Sequence, residues 1–215
     1  MKSLLLGITL ILIIGIGGFM YRNAVEHPMQ PTACSLDTFL CPDGASVSRG
    51  GPSCTFSVCP PPNVSLASID ISFAVPAGFV SVTPPDSIDV AAYALPPTSS
   101  STSIASITIR RYQIEASSTA LATIQQTAIG SPSDIPVSIT SFSSTVIGNR
   151  RFTIVPIERF EGVIDTAYYL ARGTEVLRLD AIDRNVTNWT DPNLDVSTLS
   201  AHKALEGLLG TLQEH

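Results

Sequence analysis

Four cysteines are the residues whose chemistry the sequence constrains most. They are Cys34, Cys41, Cys54 and Cys59, in a C-x6-C-x12-C-x4-C spacing, and the rest of the 215-residue chain has none. Structural zinc sites prefer close cysteine pairs at both ends, and only Cys54 and Cys59 approach that spacing, with no histidine nearby. We therefore predict two disulfides, which persist outside the cytosol.

Turn signals in this segment favour one of the three pairings that four cysteines allow. Asp43-Gly44 and residues 50–52 (Gly-Gly-Pro) predict turns around a short hairpin. Folding that hairpin brings the second cysteine towards the fourth and leaves the first for the third. We predict the crossed pairing Cys34–Cys54 and Cys41–Cys59, each bridge adding about 2–4 kcal/mol of stability.

The cysteine segment resembles two known kinds of module. Its CPDG and GP-x-C-x-F strings resemble a small module near the N-terminus of exported bacterial proteins, which has no known activity. Residues 33–37 (Ala-Cys-Ser-Leu-Asp) also resemble the reactive loop of a Kazal-type protease inhibitor, which implies that Leu36 would enter the primary pocket of a protease. The chain departs from that family in having four cysteines and not six, and in lacking room for its helix between Cys54 and Cys59. A stapled spacer and an inhibitor are the two interpretations.

Few other residues form a catalytic or metal-binding pattern. The chain has three histidines and no G-x-S-x-G motif, P-loop or glycine-rich dinucleotide turn. We interpret His202 as a half-exposed residue near the start of the last helix. Residues 191–195 alternate oxygen ligands like a calcium loop, but Val196 replaces the required glycine, so we interpret Asp195 as a helix cap. We expect no catalytic residue, no metal and no cofactor.

Acidic residues near the end of the chain have two interpretations. Asp180, Asp183 and Asp191 could form an acidic rim, and a solvated loop explains them equally well. An enzyme would gain support from a deep polar pocket lined by Asp180, Arg178 and Tyr169.

Two arginine pairs and the single tryptophan are further candidates. In a strand, the neighbours Arg110-Arg111 and Arg150-Arg151 point to opposite faces, so neither pair forms one forked anion site. We interpret both pairs as protection of sheet edges. Trp189 is either an exposed binding anchor or a cover for the sheet edge.

The N-terminus carries the strongest targeting signal. Leu4 to Tyr21 contains no charged residue, with Lys2 before it and Arg22 after it. A helix over this run would be about 27 Å long, close to the hydrocarbon thickness of a bilayer. We predict an uncleaved signal-anchor that contacts lipid through residues 4–21; a cleaved signal peptide is the alternative, although no Ala-x-Ala site is present. The disulfides place the C-terminal bulk outside the cytosol.

Hydrophobic patterns divide the rest of the chain. The segments are 1–22 (signal-anchor), 23–33 (juxtamembrane linker), 34–59 (cysteine-rich module), 60–65 (proline-rich linker) and 66–215 (main domain). In the main domain the patterns predict strands at 69–75, 79–83, 88–95, 105–109, 137–147, 151–160, 163–171 and 175–183, and helices after Ser117 or Ser118 and at 197–213. Tyr112 and Ile114 fall out of phase with the strand before them, which predicts a bulge or a strand end. This order is typical of an α+β fold with helices packed on an antiparallel sheet.

Residues 69–213 resemble the PsbP-like superfamily. The resemblance rests on residues 73–79 (FAVPAGF), the serine-rich loop before Ile107, residues 145–148 (TVIG), residues 168–170 (YYL) and the final helix. It implies an α/β/α sandwich and a non-catalytic binding or assembly role, and it carries over no catalytic residues.

Charge excludes one class of partner. The net charge is -6, and only two of the basic residues are lysines, so we expect no nucleic acid. We therefore expect a membrane-anchored extracytoplasmic binding or assembly protein with an envelope protein as partner. The alternative is a membrane-tethered protease inhibitor acting through Leu36, and an enzyme comes third.

Overall fold

The computed structural model describes most of the chain after residue 33. The described residues are 15–19, 21–22, 34–41, 46–59, 61–97, 104–130 and 135–215. Residues 15–19 and 21–22 are helical. Most of the predicted membrane segment 4–21, and all of the predicted linker 23–33, lie outside the described residues. Over the described ranges, no helix is both long enough and apolar enough to span a bilayer.

The contacts divide the chain into two units. One comprises Met1–Thr38 and Ser48–Ser57, and the other comprises Phe39–Val47 and Val58–His215. The cysteine-rich segment forms three short strands, in the order β1 (Thr38–Leu40), β2 (Ser46–Gly50) and β3 (Thr55–Phe56). Strands β2 and β3 pair in an antiparallel hairpin, as the turn signals predict. A disulfide joins Cys34 to Cys54 in the first unit, and another joins Cys41 to Cys59 in the second.

A seven-stranded antiparallel sheet forms the centre of the second unit. In spatial order its strands are β11 (Ser143–Ile147), β12 (Arg150–Phe160), β13 (Val163–Arg172), β14 (Glu175–Arg184), β8 (Ile104–Gln113), β7 (Asp89–Ala94) and β6 (Val80–Val82). Short turns connect β11 through β14, because glycines at 148, 162 and 173 adopt positive φ angles. The predicted α+β class, an antiparallel sheet with helices, is therefore confirmed.

Smaller elements complete the unit. Strands β4 (Val64–Leu66), β5 (Ile71–Phe73) and β15 (Gln213–Glu214) form a three-stranded sheet, and β9 (Ile129–Gly130) pairs with β10 (Ile135–Pro136). The helices are α1 (Ala120–Thr127) and α2 (Ser200–Thr211). The last two residues of the predicted linker 60–65 therefore lie in strand β4.

Three predicted boundaries are wrong for local reasons. Helix α1 begins after Thr119, not after Ser117 or Ser118, because the Thr119 side chain accepts the backbone N–H of Ala122. Residues 137–142 are not part of β11, because Ser138 caps a 3-10 turn there. Asp195 caps a separate 3-10 turn at Val196–Thr198, so α2 starts three residues later than predicted.

Both faces of the large sheet are covered by apolar side chains. On the first face, α2 packs through Leu205, Leu208 and Leu209 against alternate residues of β8 and β14. On the second face, α1 packs through Ile124 beside Val155 and Tyr169. The residues of β8 pair with β14 without a register shift, so the bulge alternative is wrong. The strand-end alternative is confirmed, because β8 ends at Gln113. The change in the alternation of apolar residues also has a structural reason. Before it, the apolar side chains of β8 face the first side of the sheet, whereas Ile114 packs in the cluster on the second side.

Candidate functional site

A polar cavity lies on the second face of the large sheet. Its volume is about 690 Å³, within the range of small-molecule sites. The lining residues come from β8, β9, β12, β13 and β14, from the end of α1, and from the segment before β7: Asp86, Ile88, Arg110, Tyr112, Gln126, Thr127, Ile129, Ile157, Glu158, Val163, Asp165, Arg178, Ile182 and Arg184. The antiparallel register therefore assembles this site from residues that are far apart in the sequence.

Two arginines of one cross-strand row, Arg178 and Arg110, form the floor of the cavity. Tyr169 lies opposite Arg178, Arg178 opposite Arg110, and Asp89 is paired with Arg110, so the row crosses four adjacent strands. Two arginines directly opposite each other would repel. Each has an acidic partner instead: Asp89 bonds Arg110, and Asp180 bonds Arg178. The charge of each arginine is therefore offset by an ion pair, of which Arg178–Asp180 is buried and Arg110–Asp89 is half-buried.

Arg178 is fixed on every side. Its Nε and Nη2 atoms each lie 2.7 Å from Oδ1 of Asp180, and its Nη1 donates to the carbonyl of Thr127 at 2.5 Å. Burial is the largest single influence and opposes its charge, but the charge and hydrogen bond of Asp180, together with Tyr169 and Asp165, outweigh burial and raise the pKa of Arg178. Because Thr127 is the last residue of α1, this cation also satisfies the C-terminal end of that helix.

Arg110 keeps hydrogen-bonding capacity for a ligand. Its Nε donates to Oδ1 of Asp89 at 2.5 Å. Among the described residues, its two terminal nitrogens make no hydrogen bond, and its side chain is 21% exposed. Arg110 therefore presents unused N–H donors to the cavity.

Asp165 is the most unusual group in the cavity. It lies on β13 between Glu158 of β12 and Ile182 of β14, and it is 9% exposed. Its Oδ1 atom is buried and has no hydrogen-bond partner in the part of the chain that the structure describes. Burial, followed by repulsion from Asp180, raises the pKa of Asp165 well above its usual range. The carboxyl therefore retains a proton at a pH where ordinary aspartates have lost theirs.

Apolar side chains form part of the remaining wall. Five aliphatic side chains and one aromatic ring line them: Ile88, Ile129, Ile157, Val163, Ile182 and Tyr112. None of the described lining residues is a serine, cysteine, histidine or lysine. Within the described ranges, no three histidine, cysteine, aspartate or glutamate side chains cluster as a metal site. The arrangement can hold a polar ligand by hydrogen bonds and cover its carbon skeleton.

Only part of this site is recognisable from the amino-acid sequence. Of the three residues expected to line a pocket in an enzyme, only Arg178 lines the cavity. Asp180 and Tyr169 contact Arg178 instead, Asp180 through a hydrogen bond and Tyr169 with its ring 5.7 Å from the guanidinium. Asp165 and Asp89 were missed, because only the register of the sheet brings them to the arginines. No short sequence motif could have signalled that placement.

The edge-protection interpretation is wrong for Arg110, which is paired with Arg178 on one side and Asp89 on the other. Strand β8 lies between β14 and β7, and β12 lies between β11 and β13, so neither is an edge strand of the sheet. Arg111, Arg150 and Arg151 lie where the strand pairing extends on one side only. Arg111 forms an ion pair with Glu175, and Arg150 forms one with Glu214. These charges therefore serve contacts within the fold.

The half-exposed interpretation of His202 is also wrong. His202 is 1% exposed, its Nδ1 lies 2.8 Å from Asp183 and its Nε2 lies 2.9 Å from the hydroxyl of Thr166. Asp183 also accepts the backbone N–H of Ala201 at the start of α2. The helical period was the missed signal, since positions 202, 205 and 209 share one face. The network fixes α2 against the sheet.

The acidic rim does not form. Asp180 and Asp183 are each 1% exposed and belong to separate buried networks. Asp191 is exposed in a turn, where its carboxylate accepts the backbone N–H of Asn193. The solvated-loop interpretation therefore holds for Asp191 alone.

Two other candidates lie away from the cavity. Leu36 is 98% exposed, next to an ion pair of 2.9 Å between Asp37 and Arg49. Trp189 is half-buried, and its ring packs edge-on against Phe160 at 6.1 Å, while its carbonyl accepts from Arg159. The packing of Trp189 on β12 is what the sheet-cover interpretation predicts.

Comparisons with known proteins leave the site without an assigned role. No family model matches the chain, and no curated protein matches it. A crystal structure from Bacteroides thetaiotaomicron VPI-5482 is similar over 68% of this chain and 45% of that chain, with 13% identity and a TM-score of 0.44. The chain therefore spans less than half the length of that solved structure.

Proposed function

We propose that this protein is a non-catalytic, extracytoplasmic binding protein whose main domain holds a small polar ligand in the cavity. The observation that carries the proposal is the pair Arg110 and Asp165, which line the cavity with unused hydrogen-bonding atoms. A buried polar atom without a partner costs about 1–3 kcal/mol. A ligand that reaches both groups would recover that cost on binding.

Several features favour binding over catalysis at this site. Both arginines are already held by carboxylates, so the floor is rigid before any ligand arrives. The described lining residues include no serine, cysteine or histidine that could act as a nucleophile or a base at neutral pH. A preformed cavity with an apolar wall and a few fixed polar groups is typical of small-molecule binding sites.

We further propose that the domain is held at the outer face of a membrane. The uncharged run from Leu4 to Tyr21 supports an anchor, and the two disulfides support an oxidising compartment. An envelope protein as assembly partner belongs to the same proposal. Recovery of such a partner with the immobilised full chain, from the native envelope, would test it.

The finer fold that we propose is the PsbP-like sandwich. It is supported by the packing of α1 and α2 against opposite faces of one antiparallel sheet. The non-catalytic role of that superfamily agrees with the proposed function. The binding proposal does not depend on this kinship, because it rests on the residues of the cavity itself.

Ligand-detected NMR tests the binding proposal. The full chain is mixed with a fragment library of matched small amines, alcohols and carboxylates, and saturation transfer identifies the binders. Ile129→Trp places a large ring at the cavity wall, and Ile139→Trp is the control, because Ile139 is similarly exposed but does not line the cavity. We expect fragments that bind the wild type and Ile139→Trp but not Ile129→Trp. If no fragment depends on Ile129, the proposal is wrong.

A second candidate is the membrane-tethered, Kazal-like protease inhibitor. The specific observation in its favour is Leu36, which is 98% exposed two residues after the Cys34–Cys54 bridge and next to the Asp37–Arg49 ion pair. Inhibitor loops need such an exposed, braced side chain. The full chain should then slow a subtilisin- or chymotrypsin-like protease, and Leu36→Gly should remove most of that effect. Unchanged proteolysis in the presence of the wild type would eliminate this candidate.

A further inference from the structure

We propose that the ligand of the cavity carries an ammonium group, and that this group pairs with the carboxyl of Asp165. The inference deepens the proposed function and rests on it. It names a small organic amine as the chemical class of the ligand.

The balance of charge in the cavity favours a cation. The positive charges of two of its arginines are balanced by acidic partners, since Arg178 pairs with Asp180 and Arg110 pairs with Asp89. That leaves Asp165, Glu158 and Asp86 as acidic lining residues against Arg184. The surplus is acidic, so a positively charged ligand group is the better match.

The position of Asp165 favours the same group. Its buried Oδ1 atom lacks a partner among the described residues, while Glu158 lies directly opposite on β12. An ammonium group has three N–H donors and can serve two neighbouring carboxyls at once. An anionic ligand attracted by an arginine of the cavity would instead lie near Asp165 and Glu158, whose carboxyl groups would disfavour it.

The other walls define the rest of the ligand. Ile129, Ile157 and Ile182 offer an aliphatic surface, which suits the carbon chain of the amine. The terminal nitrogens of Arg110 require an acceptor, which a hydroxyl or carbonyl oxygen would provide. A short alkylammonium with such an oxygen at its far end therefore complements the cavity.

Binding should release a proton. The raised pKa of Asp165 means that its carboxyl is protonated more readily than an ordinary aspartate. An arriving ammonium favours the carboxylate, so the carboxyl proton passes to the solvent, and the ammonium keeps its own protons because alkylamines titrate near pH 10. The products are an ion pair in the cavity and up to one proton in the buffer.

Calorimetry with a matched set of probes tests the inference. The full chain is titrated with 4-aminobutan-1-ol, butane-1,4-diol and 4-hydroxybutyrate, which share one carbon skeleton. Each titration is run in two buffers of different ionisation enthalpy. We expect the amine to bind at least about tenfold more tightly than the other two, with a buffer-dependent heat that reports proton release.

Two variants assign the effect to Asp165. Asp165→Asn keeps the size and a hydrogen-bonding group, so it should fold, weaken amine binding at least about tenfold and remove the buffer dependence. Glu115→Gln is the matched control, because Glu115 is exposed and does not line the cavity, and it should leave both unchanged.

Failure of this inference is distinct from failure of the proposed function. Three outcomes would each overturn the amine assignment. They are equal or tighter binding of the diol or the hydroxyacid, no measurable heat with the amine, and undiminished binding of the amine by Asp165→Asn. Fragments that depend on Ile129 but carry no amine would overturn it too, while the proposed function would stand. If no fragment depends on Ile129, both are wrong.

Discussion

Arg178 and Asp180 lie two residues apart on β14 and form an ion pair of 2.7 Å on one face of the sheet, with 4% and 1% of their surfaces exposed. The pair has three consequences. It offsets the repulsion between the opposed arginines, it binds the C-terminal carbonyl of α1, and it places a negative charge near Asp165. The rigidity of the cavity and the unusual state of its acid thus arise from the same two residues.

Removing the guanidinium from this pair should be costly. Arg178→Met leaves Asp180 as a buried charge without its partner, and we expect a loss of about 3–5 kcal/mol in the free energy of unfolding. Urea denaturation measures the loss. Arg151→Met is the control, since Arg151 is exposed, and should change stability by less than about 0.5 kcal/mol. An equal effect of both substitutions would contradict the assigned role of the pair.

The carboxyl of Asp165 should make stability depend on pH. Its pKa is raised in the folded state, so the folded chain binds more protons than the unfolded chain above the ordinary aspartate pKa of 3.8. Stability should therefore fall as pH rises from about 4 towards the raised pKa, and the full cost should persist above it. Asp165→Asn should remove this part of the dependence. Urea midpoints of both proteins at pH 5 and pH 8 provide the measurement, and parallel profiles would show that Asp165 ionises normally.

The network of Asp183 should hold the start of α2. Asp183→Ala removes the acceptor for the backbone N–H of Ala201 and for His202, and we expect a loss of about 2–3 kcal/mol. Hydrogen exchange should quicken in the first turn of α2. Asp195→Ala, which uncaps only an exposed 3-10 turn, should cost about 1 kcal/mol or less. Unchanged protection of α2 in the Asp183 variant would refute this role.

The cysteines should be oxidised in the native protein. Mass spectrometry after iodoacetamide treatment should detect no labelled thiol without a reductant, and four labelled thiols after reduction and unfolding. Cys41→Ser/Cys59→Ser should cost about 2–4 kcal/mol by releasing a closed loop. Protein isolated from cytosol with four reactive thiols would contradict both the disulfides and the proposed location.

Local patterns predicted the elements better than they predicted the site. The hairpin strands β12 to β14 agree with the sequence prediction to within one residue, because alternating side chains and short turns determine them. The turn signals in the sequence of the cysteine segment likewise favoured the disulfide pairing that the structure shows. The floor of the cavity depends instead on which residues face each other across four strands. Arg110 was therefore interpreted as protecting a sheet edge, although it is paired with a strand on each side. No sequence pattern marked Asp165 as part of a site.

Isoleucine methyl groups offer the most direct test of the central claim, that the cavity on the second sheet face is the binding site. The full chain is labelled at its isoleucine δ1 methyls, and its spectrum is recorded with and without 4-aminobutan-1-ol. We predict shifts for the cavity residues Ile88, Ile129, Ile157 and Ile182, and none for Ile71 and Ile107, which pack in the other cluster. Shifts confined to Ile71 and Ile107, or no shift for any methyl at saturating ligand, would contradict the account.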